Sequence, residues 1–134
     1  MKCLALIVAL SFAGSVYGVP LAQQKRDARA AVIDMNALYA MANRAAADGD
    51  RRRYDQEVVK GLHALSNRWA GKMAKWDGPL RPCLRAQDYL GLYIGSLDVQ
   101  RFSVNPPLSI QADLTRQRKG YFRHRHLCAA SAHQ

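Results

Sequence analysis

The chain has 134 residues, of which 20 are Lys or Arg and 10 are Asp or Glu, giving a formal net charge of +10. With 49% apolar residues it is too hydrophobic for a disordered chain, and its length suits a single domain. The excess of cations is a property of surface and partners rather than of fold.

The first stretch, "MKCLALIVALSFAGSVYGVP", holds one cation, Lys2, then an apolar run from Leu4 to Ala13 and the small residues Gly14, Ser15 and Gly18. That order predicts a signal peptide over 1–18 with cleavage after Gly18, ahead of a single helical domain over 19–134. A membrane anchor fits less well, because the run is about half the roughly 20 residues that a spanning helix needs. A buried N-terminal helix of a cytosolic protein is the plainer alternative. Cys3 falls in the leader and leaves with it. The mature chain is then expected to be secreted or periplasmic, and losing Lys2 lowers its formal charge only to +9.

Apolar spacing predicts four helices. Over 27–48, Ala31, Met35, Leu38, Ala42 and Ala45 recur at steps of four and three, with no Gly or Pro. Gly49 and Asp50 interrupt, and Asp50 is placed to cap the next helix. There Tyr54, Val58, Leu62, Leu65, Trp69, Met73 and Trp76 form one stripe over 51–76, ended by "DGP" at 77–79. The third helix starts near Pro82 and carries Cys83, Ala86, Leu90, Ile94 and Leu97. Asn105, Pro106 and Pro107 are expected to cap and open the fourth, which passes through Ile110 and Leu114 toward Tyr121. Gly120 then reads as a stop, followed by a basic C-terminal tail from about 120. Short connections make neighbours antiparallel, so the expected fold is all-α, a small up-down bundle of four helices. The alanines of the first helix permit close approach but bring little apolar area, so Trp69 and Trp76 are expected to dominate the core.

In an oxidising compartment the remaining cysteines, Cys83 and Cys128, have one pairing available. Antiparallel third and fourth helices set the start of one beside the end of the other, where these two cysteines lie. Cys128 also stands in "HRHLC", where His124, His126 and Cys128 alternate as ligands on a strand would. A disulfide sulfur is no thiolate, so the reading preferred is exposed histidines beside a structural cystine, with no metal site. His63 is expected to flank the stripe of the second helix.

Cations gather at Arg51, Arg52 and Arg53, and again at Arg116, Arg118, Lys119, Arg123 and Arg125, with no acidic residue after Asp113. These eight are the candidate residues for binding an anionic partner, against the plainer reading of a solvated surface that only aids solubility. "RRR" in a first turn opposes the helix dipole, offset in part by Asp50, Asp55 and Glu57. Nucleic acid is disfavoured by the expected compartment. Asp34, Asp88 and Asp98 read as helix-face residues or ion-pair partners rather than general bases, and no nucleophile, phosphate-loop or haem-attachment motif is found, so neither catalysis nor a cofactor is expected. The function expected is a non-catalytic interaction module, of inhibitor or immunity type, for an acidic protein. The alternative is an envelope-associated protein binding anionic lipid or cell-wall polymer through its basic face.

Overall fold

The computed structural model describes residues 18–134, and the expected leader, apart from Gly18, lies outside the described residues. Among the described residues all regular structure is helical. Helix α1 (Leu21–Asp48) begins six residues before its apolar stripe suggested. Pro20 starts it, its carbonyl accepting from the amides of Gln23 (2.9 Å) and Gln24 (3.0 Å). These first turns bury only Gln24 and Ala28, so apolar periodicity had nothing to register. Gly49 ends the helix at φ 69°, a left-handed conformation that favours glycine.

Helix α2 spans 51–73 and opens as expected, with the Asp50 carboxylate accepting from the Arg53 amide at 3.0 Å. Within it, Tyr54–Val59 form a wider π-type turn before regular helix resumes over Lys60–Met73. Its stripe is buried, except that Leu62 is only partly so. Past Met73 the bonding tightens, with the amides of Lys75 and Trp76 donating to the carbonyls of Lys72 and Met73, and Trp76 stays buried ahead of the short turn Gly78–Leu80.

Helix α3 (Arg81–Phe102) has Pro82 in its first turn, as the sequence predicted. Helix α4 (Ile110–His133) corrects two expectations. It does not start at the prolines: Asn105, Pro106 and Pro107 remain in the turn, where each residue before a proline is held out of helical conformation. Val104 and Leu108 are fully exposed there, so burial begins only at Ile110. Nor is there a tail from 120. Gly120 sits inside α4 because a β-carbon there would lie 2.5 Å from ring carbons of Tyr89 on α3. It is a contact glycine and not a stop, and the helix continues through the histidines.

Long-range hydrogen bonds fix the directions. Arg29 near the start of α1 donates to the Ala132 carbonyl near the end of α4 (2.6 Å), and Tyr121 donates to Asn36 (3.0 Å). Trp69 Nε1 donates to Asp34 (2.7 Å), and the Asp77 amide donates to Gln24 (2.9 Å), running α2 against α1. Arg51 reaches Asp98 and Tyr54 the Ile94 carbonyl (2.7 Å), running α3 against α2, and the pairs Cys83–Cys128 and Tyr89–Gly120 run α4 against α3. Consecutive helices are therefore antiparallel. Around this up-down bundle α1 packs against all three others, while α2 and α4 scarcely meet. The buried alanines of α1, Ala28, Ala31, Ala42, Ala45 and Ala46, permit that central position.

Trp69 and Trp76 belong to the core as expected, and Tyr54 and Tyr121 are fully enclosed beside them. The Trp69 indole N–H must find an acceptor, and Asp34 on the rim supplies it. Cys83 and Cys128 form the expected disulfide, with both residues fully buried and Cα atoms 4.7 Å apart. The bond ties the start of α3 to the last turns of α4.

Candidate functional site: the cations of α4

The two cationic clusters of the sequence have different surroundings. Arg51 pairs with Asp55 at 2.9 Å and with Asp98 of α3, and its guanidinium lies 5.2 Å from the Phe102 ring centre. Arg53 pairs with Asp48 at 2.6 Å and Glu57 at 3.0 Å. The hydrogen bonds that Arg51 donates to Asp55 and Arg53 to Glu57 are the chief reason that both guanidiniums hold their protons more firmly than usual. Arg52 alone of the three has no carboxylate within 4.0 Å among the described residues. Together with the Asp50 cap, these carboxylates answer the dipole objection to "RRR". The cluster is an ion-pair network, not a bare cationic patch.

On α4 the balance is opposite. Arg116 pairs with Asp113 at 2.6 Å. Arg118, Lys119 and Arg123 are exposed, with no carboxylate within 4.0 Å among the described residues. Arg125 is partly buried and uncompensated by an acid; it donates to Asn36 (2.9 Å) and lies over Phe122 at 4.9 Å. Beneath it is an aromatic cluster that sequence reasoning missed. Tyr39 of α1 stands 5.3 Å from Tyr93, 5.3 Å from Tyr121 and 5.1 Å from Phe122, centre to centre. Asn43 and Asn36 accept from the hydroxyls of Tyr93 and Tyr121. Burial pushes the Tyr93 and Tyr121 phenols up to about 12. The signal for this cluster was Tyr39 in the first helix, one place beyond the stripe residue Leu38. Because α2 and α4 occupy opposite sides of the bundle, residues 51–53 and 116–125 are not brought together.

The alternation of His124, His126 and Cys128 has no helical counterpart, since positions two apart point to different sides of a helix. His124 stacks on Tyr89, ring centres 5.4 Å apart and planes 11° from parallel. Its pKa is lowered from the ordinary 6.5 by burial first, then by Arg123 and Arg85. Cys128 Sγ is bonded to Cys83. Among the described residues, no three His, Cys, Asp or Glu side chains gather as a metal site would require. His63 is exposed beside the α2 stripe. Asp34 is occupied by Trp69 and Arg68, and Asp98 by Arg51. No helix among the described residues is long and apolar enough to cross a membrane. No protein-family model, curated protein or solved structure matches the chain.

Proposed function

We propose that this is a secreted or periplasmic, non-catalytic interaction module that docks on an acidic protein through the cations of α4. The observation that carries the reading is the contrast in pairing: Arg118, Lys119, Arg123 and Arg125 lack carboxylate partners, while Arg51 and Arg53 have theirs within the fold. Segregation along the bundle supports it. Asp48, Asp50, Asp55, Glu57, Asp98 and Asp113 occupy the end that holds the α1–α2 turn. Arg81, Arg85 and Arg123 lie toward the disulfide end, which holds fewer carboxylates, Asp27 and Asp77 among them. Exposed Phe122 and the arginine above it offer a combination favoured at protein interfaces.

The test is a pull-down from the native envelope with three chains: wild type, a variant with Arg118, Lys119 and Arg123 changed to Glu, and one with Arg51, Arg52 and Arg53 changed to Glu. One stoichiometric acidic protein is expected, lost in the α4 variant and kept in the other, with capture falling as salt rises. Co-sedimentation with lipid or cell-wall fragments instead selects the envelope role. Equal capture by all three chains reduces the α4 cations to a solubilising surface.

A further inference from the structure

Because α2 and α4 stand apart, the outer face of α3 between them is uncovered, leaving a groove of about 820 Å³. Leu62, Leu92, Val99 and Ile110 give it apolar walls, and Gly91 and Gly95 lie one turn apart along α3. Neither glycine is demanded by internal packing. A β-carbon at Gly95 meets nothing within 4 Å, and one at Gly91 meets only Leu62 at 4.0 Å. Each weakens its helix relative to alanine without serving the fold, unlike Gly120.

The second observation is polar. Gln87 and Gln117 line the groove at 6% and 8% exposure, and each has an enclosed Oε1 with no hydrogen-bond partner. The third buried glutamine, Gln24, is satisfied at both ends, donating to Val19 and accepting from Asp77. An unpaired buried acceptor is costly and uncommon, and as they stand both are closed to donors from outside. Rotation about the last side-chain torsion, which is broad, turns either carboxamide atom toward the groove.

We propose that this groove binds an extended apolar peptide segment, its main chain lying over Gly91 and Gly95 and its amides pairing with Gln87 and Gln117. An extended chain offers an N–H and a C=O at each residue, matching the two atoms of a carboxamide. A helix has already spent those groups internally, and an acyl chain has none. The inference is independent of the α4 cations.

The test is selection of displayed random nonapeptides on the folded full chain, followed by fluorescence anisotropy of the enriched peptides. Gln87→Met and Gln117→Met are each expected to weaken binding about tenfold, the size of one net hydrogen bond. They should also raise the melting temperature of the free chain, since an orphaned acceptor is removed. Gly95→Leu, whose side chain enters open space and which circular dichroism should find folded, is expected to abolish binding by filling the groove. N-methylation of the peptide amides that face the glutamines should cost about tenfold as well. Failure to enrich any peptide, or equal affinity of an enriched peptide for wild type and all three variants, overturns the proposal. So does tighter binding of the same peptide when it is stapled as a helix.

Discussion

Gly120→Ala separates two opposed effects at one position. Helix propensity alone says that the change stabilises α4 by about 0.5–1 kcal/mol. The structure says otherwise, because the new β-carbon would sit 2.5 Å from two ring carbons of Tyr89 and 2.7 Å from a third. Either α3 and α4 move apart, or the Tyr89 ring leaves its place and abandons its stack on His124. Overpacking of this kind costs about 1–3 kcal/mol, so the net expectation is a loss of about 1–2 kcal/mol. Gly95→Ala is the matched control: with nothing within 4 Å of its β-carbon, only propensity acts, and a gain of about 0.5–1 kcal/mol is expected. Urea titration followed by far-UV circular dichroism reads both, provided the slopes stay equal. A Gly120→Ala chain as stable as wild type, or more so, refutes the register assigned to α3 and α4.

Two further outcomes are expected. Reducing the Cys83–Cys128 bond, which closes a separation of 45 residues, should remove about 4 kcal/mol by the loop-entropy model. At a urea slope of about 2 kcal/mol/M the midpoint then falls by about 2 M, and an unchanged midpoint would show that the bond constrains nothing. Burial raises the Tyr93 and Tyr121 phenols from 10 to about 12, so the folded state disfavours their phenolates. That contribution to stability is complete below pH 10 and is lost as pH climbs toward 12; absorbance at 295 nm should show these two tyrosines ionising later in the folded chain than in urea.

What the sequence made legible follows from what periodicity measures. The stripe Tyr54 to Trp76 marked α2 because its burial is apolar, and Cys83 and Cys128 found one another because hairpin geometry and a shared chemistry both required it. The first turns of α1 were invisible because what they bury is Gln24, not a hydrophobe. Gly120 misled for a related reason. A glycine that ends a helix and one that admits a neighbour's ring look the same in one dimension, and only Tyr89, 31 positions earlier, distinguishes them. The prolines at 106 and 107 could open a helix by their own geometry, but no burial rewards one there until Ile110.

Charge shows the same limit more sharply. By count, "RRR" at 51–53 is the densest cationic run in the chain, and by count it has the strongest claim on an anionic partner. In the fold it is the most compensated: Arg51 reaches across to Asp98 and Arg53 back to Asp48, partners 47 and 5 positions away. The α4 cations are spread over nearly three turns and interleaved with Phe122, yet apart from Arg116 they meet no carboxylate among the described residues. What attracts an anion is the field left after internal pairing, and that remainder is set by which helices are neighbours. Placing α4 diagonally opposite α2 keeps it from the carboxylates at the start of α2, and so leaves Arg118, Lys119, Arg123 and Arg125 as uncompensated, among the described residues, as Lys60 and Lys72 farther along α2 itself and Lys75 just past it.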